Sequence, residues 1–337
     1  MNTEILPYNL HNIKKAADIL KNGGIVGMPT ETVYGLAANA LNEAAVCDIF
    51  KAKGRPQDNP LIVHISRIEM LNDLVTEIPD VARTLAAEFW PGPLTMIFPR
   101  SDRIPDVTSG GLDTVAIRMP ASEAARALID ESGCPVAAPS ANLSGSPSPT
   151  TAQHVFSDMN GRIPLIIDGG ACSCGVESTV ICFREGHIHI LRPGSITAEM
   201  LSQYADVEID KGVCAKPSDT EKVLSPGMKY KHYSPKANVL IVDEHGADFT
   251  EYCTSHAVGK TIALGIGVST QGIFVDYGIT PELQAQRLFS LLRESDEMGA
   301  DTVFVEMPST DGIGLAVYNR LLRAAGFEVV GNDKADR

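Results

Sequence analysis

Lys53-Gly54-Arg55, inside KAKGRPQDNPL (51–61), sets two cations two positions apart. Far downstream, Ser140-Ala141-Asn142 in AAPSANLSG sets two short hydrogen-bonding side chains at the same spacing. In extended backbone, residues i and i+2 point the same way. Pro56 biases Arg55 toward β or polyproline geometry, and Pro139 in front of Ser140 suggests the same for Ser140 and Asn142. Lys53 and Arg55 are thus expected to project together from one side of the chain. Arginine offers phosphate a bidentate fork and lysine a point charge. Short hydroxyl and amide side chains fix oxygens. Together these are the parts of a phosphate-handling cleft, although a charge pair taken alone is usually a solvated face.

Other polar residues recur at strand ends beside Gly and Pro. In MPTETVYGLAANA (28–40), Thr30, Thr32 and Tyr34 alternate after a strand, and Gly35 lets backbone approach a ligand. The competing reading makes Thr30 a helix N-cap. Asn59 and His64 follow the first cation pair, and a lone histidine in an apolar strand is more often a satisfied core residue. Arg118 lies inside the apolar strand of DTVAIRMP (113–120), where an unpaired charge is costly. It needs an anion, either an acidic side chain or a ligand carboxylate. VAAPSANLSGSPSPTT (136–151) is rich in hydroxyls, and ILRPGSI (190–196) carries Arg192 at a strand end. Trp90, the one tryptophan, is expected to pack.

Several chemistries are unsupported. The chain has no GxxxxGK[ST], no HExxH, no GxSxG and no kinase motif set. Cys172-Ser173-Cys174 has no CxxC pair or clustered histidine beside it, so it reads as a surface loop and not a zinc site. Seven cysteines, an odd and scattered number, fit reduced thiols in a cytosolic protein. No apolar run approaches the roughly 20 residues that span a bilayer. The start, MNTEILPYNL, lacks a basic n-region, and a cytoplasmic location is expected. The net charge of −14 argues against a general nucleic-acid binder.

The elements that must position these residues follow from periodicity and punctuation. Asn9 caps a helix with Leu10, Ile13, Ala17 and Leu20 on one face, closed by Gly23-Gly24. Helices are also expected over 43–51 and 122–131. Strands are expected at 25–28, 61–65, 94–98, 115–119, 136–138, 165–167, 178–183 and 188–191, with a hairpin at Glu185-Gly186. Residues 1–206 thus read as a mixed α/β domain with 15 basic and 23 acidic residues, a net of −8. A linker over 207–236 follows. Within it, 211–236 carries six lysines against Asp219 and Glu221, a net of +4, and Tyr230, His232 and Tyr233 sit among the lysines. Binding loops and lids have this character more than flexible spacers do. Residues 237–337 alternate strand and helix, which argues a smaller parallel, Rossmann-like α/β domain. Gly265-x-Gly267 and Gly312-x-Gly314 fall short of GxGxxG and read as loop glycines.

PTETVYGL, KGRP with NPL, PSANLSG, GVEST and LRPG, in this order, resemble the YrdC-like threonylcarbamoyl-AMP synthases. That family's KxR…SxN pattern reads here as Lys53, Arg55, Ser140 and Asn142. The SPGMKYKHYSP segment and the second α/β domain resemble its longer, two-domain branch. The resemblance implies a twisted open α/β sheet with a large positive cleft. It implies a nucleotidyltransferase that condenses L-threonine, bicarbonate as carbon dioxide, and ATP into L-threonylcarbamoyl-AMP and pyrophosphate. The adenylate feeds threonylcarbamoyladenosine formation in tRNA. Magnesium (Mg2+) is implied on the ATP phosphates, with no dedicated protein ligand. The threonine pocket would fall on Thr32, His64, Arg118, the backbone at Ala138, and Ser178. ATP contacts would fall on Arg55, Asn59, Thr114, Ser140, Ser148, Arg192 and Tyr230. Partners would include tRNA or a downstream tRNA threonylcarbamoyltransferase complex, and no membrane. Two other readings use a similar domain: a carbamoyltransferase of the hydrogenase-maturation type, and a non-enzymatic RNA-binding module.

Overall fold

The computed structural model describes residues 2–57, 59–215 and 233–331. Contacts gather the chain into two units, Met1–Ser144 with Ser148–Lys229, and Gly145–Pro147 with Tyr230–Arg337.

The first unit is built on an eleven-stranded mixed sheet. In chain order its strands are β1 Glu4–Pro7, β2 Val26–Met28, β3 Gly35–Asn39, β4 Ile62–His64, β5 Leu94–Pro99, β6 Thr114–Arg118, β7 Val136–Ala137, β8 Leu165–Asp168, β9 Thr179–Arg184, β10 His187–Arg192 and β11 Val207–Ile209. In space the order is β1-β8-β2-β3-β7-β4-β6-β5-β9-β10-β11. Both faces are covered, because successive strand residues point to opposite sides. Leu165 and Ile167 of β8 join one apolar cluster while Ile166 joins the other. Ala37 of β3 and Val136 of β7 divide from Leu36, Ala38 and Ala137 in the same way.

Helix α1 (Leu10–Lys21) begins where the Asn9 side chain accepts the Asn12 N–H at 2.9 Å. Ile13, Ala16, Ala17 and Leu20 face the sheet, but Leu10 is 72% exposed. Leu10 shares that angular stripe, but as the first helical residue its side chain tilts toward the N-terminus, beyond the packed turns. The expected helix near 122–131 spans Glu123–Ser132, with Ser122 as N-cap and left-handed Gly133 as C-cap. Glu185 and Gly186 both take positive φ in the tight turn between β9 and β10, as the hairpin reading requires. Trp90 packs, its indole N–H donating to the Leu94 carbonyl at 2.7 Å.

The second unit holds five strands, β12 Asn238–Val242, β13 Thr261–Gly265, β14 Phe274–Asp276, β15 Thr302–Glu306 and β16 Val329–Val330. Their order is β14-β13-β15-β12-β16, and all four pairings are parallel. Helices Gly246–His256, Pro281–Glu297 and Gly312–Ala324 make the crossovers. The buried Glu306 carboxylate accepts the Gly246 N–H at 3.0 Å and the Ile266 N–H at 2.7 Å. The Gly265-x-Gly267 loop thus donates to a side chain of the same unit, in keeping with the loop-glycine reading.

Candidate active site

Helix α2 (Glu43–Lys53) brings the first cation in, and it corrects the extended-chain expectation. Lys53 is the last helical residue, and Gly54 follows at φ 62° as a left-handed cap. The Arg55 N–H closes the helix on the Phe50 carbonyl at 3.0 Å. Gly54 is needed because that φ is strained for residues with a Cβ. Lys53 and Arg55 therefore leave a helix end in different directions. Lys53 is 3% exposed. Its ammonium donates to the Ser140 carbonyl, to the Asn142 carbonyl at 2.8 Å and to Asn142 Oδ1 at 3.4 Å. The two halves of the KxR…SxN pattern thus meet through the lysine.

The loop that receives Lys53 is fixed by backbone bonds to three neighbours. Ala138 N–H donates to Ile62 at the start of β4 (3.1 Å), Leu36 N–H of β3 to Pro139 (2.7 Å), and Ala141 N–H to Tyr34 (2.8 Å). Ser148 sits further along and donates to the Glu177 carboxylate at 2.5 Å.

Residues 29–34 form the turn between antiparallel β2 and β3, so Thr30 does not cap a helix. Its hydroxyl donates to the Val33 carbonyl at 2.6 Å and accepts the Val33 N–H at 3.3 Å. With that hydrogen spent, the 2.9 Å contact with Thr32 Oγ1 runs from Thr32 to Thr30. Thr32 Oγ1 is then an acceptor for Arg118 Nη1, at 2.8 Å.

Arg118 ends β6, directly beside His64 at the end of parallel β4 and opposite Thr95 of antiparallel β5. Its Nε donates to the Gly92 carbonyl at 3.2 Å, and its Nη2 to Glu31 at 2.6 Å. The sequence left open whether its anion is a side chain or a ligand carboxylate; the structure supplies a side chain, Glu31. Burial raises the Glu31 pKa, but the Arg118 charge and backbone N–H bonds outweigh it and hold the carboxyl below its ordinary value. His64 is buried, with Nδ1 3.2 Å from the Ile62 carbonyl. Burial first, and the Arg118 charge second, push its pKa down to about 3, so the imidazole is neutral near pH 7.

A third group adjoins this one. Ser178 Oγ lies 2.8 Å from Thr95 Oγ1, and Arg192 donates to the Ser178 carbonyl at 3.1 Å and hydroxyl at 3.2 Å. The LRPG turn presses on this backbone: a Cβ on Gly194 would stand 2.4 Å from Thr179 N, so only glycine fits. Cys172 is 3% exposed and buried in the core, which corrects the surface-loop expectation. The Cys172 N–H is bonded to the Thr150 carbonyl at 2.9 Å; burial raises the pKa of its thiol far above the thiol range.

Hydrogen bonds and strand register therefore link Thr32, His64, Arg118, Ser178 and Arg192 into one group, and Lys53, Ser140 and Asn142 into a second, with Ala138 bonded to β4 at Ile62. Thr114 opens β6, at the opposite end of that strand from Arg118 and toward the end of β4 that receives the Ala138 N–H. Asn59 is fully buried, and neither its amide oxygen nor its nitrogen has a hydrogen-bond partner among the described residues. Tyr230 and His232, with the rest of 216–232 in the lysine-rich segment, lie outside the described residues. Among the described residues no group of three or more His, Cys, Asp or Glu is placed to hold a metal ion. None of their helices is long and apolar enough to cross a membrane. Sequence reasoning missed Glu31, Glu177 and Thr95. The one available signal was that each acid sits inside a polar motif, PTET or VEST.

Residues 18–194 match the family model Sua5_yciO_yrdC, described as "Telomere recombination". Residues 196–326 match Sua5_C, "Threonylcarbamoyl-AMP synthase, C-terminal domain". A threonylcarbamoyl-AMP synthase of Pyrococcus abyssi is 48% identical over 94% of this chain and 95% of its own length. That of Bacillus subtilis is 44% identical over 97% of both. The crystal structure of P. abyssi Sua5 complexed with L-threonine superposes with a TM-score of 0.89 at 44% identity, over 98% of this chain and 99% of that one. The E. coli YciO structure, 22% identical with a TM-score of 0.51 over 58% of this chain and 96% of that one, shares the fold of the first unit.

Proposed function

The chain belongs to the two-domain Sua5–YciO–YrdC family, and on that premise we propose how its first unit carries out the family's chemistry. Its activity is threonylcarbamoyl-AMP synthesis. The observation that carries the mechanism is the meeting of Lys53 with the Ser140–Asn142 loop, a short step along the sheet from the Arg118 pocket.

In the proposed reaction the neutral threonine amine adds to carbon dioxide, derived from bicarbonate, and loses a proton to give a carbamate. A carbamate oxygen then attacks the α-phosphorus of ATP. The new P–O bond forms as the bond to the β-phosphate breaks, and pyrophosphate leaves with its electron pair. No protein nucleophile is required. What the chain must supply is positioning of three reactants and cations around developing phosphoryl charge.

The roles follow. Arg118, held by Thr32, receives the threonine carboxylate, with Thr32 lining the pocket and neutral His64, the backbone at Ala138, and Ser178 around the rest of the amino acid. Arg55, Asn59, Thr114, Ser140, Ser148 and Arg192 contact ATP, and Tyr230 is assigned there from the family pattern alone. Lys53 holds the Ser140–Asn142 loop in shape and adds positive charge near the phosphates. Magnesium accompanies the ATP phosphates; it lowers their charge and takes no dedicated protein ligand in this reading. The buried, unpartnered Asn59 amide supports a ligand at that point, since a buried amide without a partner is costly. The product serves adenosine modification in tRNA through a downstream transferase, in the cytoplasm.

The test is pyrophosphate release from ATP and bicarbonate with L-threonine, L-serine or no amino acid. Release is expected to depend on threonine and to fall about 10- to 200-fold with serine, the range for one missing methyl-sized contact. Equal release in all three reactions overturns the reading. Salt-dependent tRNA binding with no threonine-dependent release would instead favour an RNA-binding module.

A further inference from the structure

The Arg118–Glu31 pair has more in it than a buried salt bridge. The two side chains are 4% and 11% exposed. Glu31 is anchored from three sides: Oε1 takes Arg118 Nη2 at 2.6 Å, Oε2 takes the Ser122 N–H at 3.4 Å, and its own carbonyl takes the Cys174 N–H at 2.8 Å. Arg118 is likewise fixed in plane by the Gly92 carbonyl and Thr32 Oγ1. A guanidinium has five N–H donors. Three are used here, and two, one on each terminal nitrogen, have no partner among the described residues.

We infer, on the reading of the site given above, that Glu31 is a positioning and specificity residue for the amino acid. It holds Arg118 with those two N–H groups turned to a ligand carboxylate, and it cancels the guanidinium charge. Arg118 carries +1, Glu31 −1, and His64 none, so these three groups sum to zero before the ligand arrives. A zwitterion, with one carboxylate and one ammonium, enters without leaving a net buried charge. Without Glu31 the pocket is a buried cation, and a small inorganic anion becomes a competitor for it.

The geometry also separates this role from that of a stand-in which leaves when substrate binds. A stand-in would compete with the ligand, and its removal would tighten threonine binding. Glu31 is tied to Ser122 and Cys174 as well as to Arg118, and it uses one N–H of Nη2 while leaving the other.

The test compares full-length wild type with Glu31→Gln and Glu31→Asp in the pyrophosphate-release assay, with sulfate as the probe anion and melting temperature measured in parallel. Glu31→Gln is expected to raise the threonine KM about tenfold or more, the scale for removing one charge of a buried pair, with the ATP KM within about twofold. Sulfate is expected to compete with threonine in Glu31→Gln and not in wild type. Glu31→Asp keeps the charge and is expected to restore threonine KM to within about threefold of wild type. An unchanged or lowered threonine KM in Glu31→Gln overturns the proposal, as does a parallel rise in both KM values without sulfate competition. If Glu31→Gln does not fold, Glu31→Ala is measured in its place: sulfate competition with a raised threonine KM supports the role, and an unchanged threonine KM overturns it. Threonine-independent release by wild type is a separate outcome that overturns the parent reading.

Discussion

Lys53 and Asn142 stand 89 residues apart in sequence, and the lysine ammonium lies 2.8 Å from the asparagine carbonyl. The same ammonium also bonds Ser140, so one buried cation holds both ends of the polar triplet. Lys53→Ala leaves two loop carbonyls without their donor, which costs about 1–3 kcal/mol per buried group left unmet. It also removes a charge beside the proposed phosphates. We expect kcat/KM for ATP to fall at least about 100-fold, the scale seen on removing a transition-state donor, together with a lowered melting temperature. Lys53→Arg is expected to recover the charge but not the loop, because a planar fork cannot occupy the space of a compact ammonium. Normal turnover in Lys53→Ala sinks the role given to the pattern.

Asn59 presents the opposite balance. Its amide is buried with no partner among the described residues, so the ligand-free fold bears its desolvation cost. Asn59→Ala removes that cost and leaves a small cavity. The melting temperature without ligand is expected to stay within about 2 °C of wild type or to rise, in line with a change of under about 0.5 kcal/mol. The KM for ATP is expected to rise about tenfold, as for a lost hydrogen bond to a charged ligand. A large loss of stability with ATP KM unchanged would assign Asn59 to structure alone.

His64 and Glu31 make stability depend on pH with one sign. His64 is held at about 3 in the fold, first by burial and then by the Arg118 charge, against an ordinary 6.5. Below about pH 6.5 the unfolded chain takes up a proton that the folded chain refuses, so stability falls as pH drops toward about 3. Glu31, held below 4.5, adds to the loss at the acid end of that window. Urea unfolding at pH 7.5, 6.5, 5.5 and 4.5 is expected to steepen below 6.5 in wild type, toward about 1.4 kcal/mol per pH unit for one proton. His64→Gln is expected to flatten the profile between 6.5 and 4.5. Parallel profiles for the two proteins would contradict the buried neutral imidazole.

Local signals in the sequence carried the helices. Asn9, Ser122 and Gly133 act within one turn of chain, so their caps can be read without knowing the fold. Strands β3 and β7 depend on partners far away, Ala38 on Ala137 and Val63 on Ala137, and no local pattern announces an eleven-strand order. The site divides in the same way. Ordered motifs delivered Thr32, His64, Arg118, Ser140 and Asn142 by name. They did not deliver the Gly92 carbonyl, since any residue can offer a backbone oxygen. Nor did they deliver Glu31, since an acid in a turn looks solvated until a buried arginine is found beside it. The projection of Lys53 was misread because extended geometry was assumed where Gly54 ends a helix.

In the second unit, Glu306 closes the C-terminal end of β15 by taking the N–H groups of Gly246 and Ile266, which open the two neighbouring crossovers. Glu306→Ala removes the acceptor of the half-buried Ile266 N–H and of the exposed Gly246 N–H, which water can meet, and is expected to cost about 1–3 kcal/mol. Glu306→Gln keeps an acceptor for one and is expected to cost about half as much. Two-probe denaturant unfolding of the full chain measures both, and equal stability in all three proteins would remove Glu306 from the frame of this sheet.

Thr95 connects the two proposed substrates. It lies opposite Arg118 in the β5–β6 register, and its hydroxyl is 2.8 Å from Ser178, which Arg192 holds by carbonyl and hydroxyl. On the proposed assignment of Arg118 to threonine and Arg192 to ATP, Ser178 links the residues given to the two substrates. Thr95→Val has nearly the volume of threonine but cannot hydrogen-bond, and it frees the Ser178 hydroxyl to turn away from its position. The consequence belongs to alignment more than to binding. kcat is expected to fall about tenfold, with both KM values within about threefold. Thr95→Ser is expected to stay near wild type. The contact predicts coupling as well: Thr95→Val and Ser178→Ala together should cost less than the sum of the two alone, by about 1 kcal/mol in transition-state energy. Strict additivity would mean that the two hydroxyls act independently, and Thr95 would then be only a buried residue of β5.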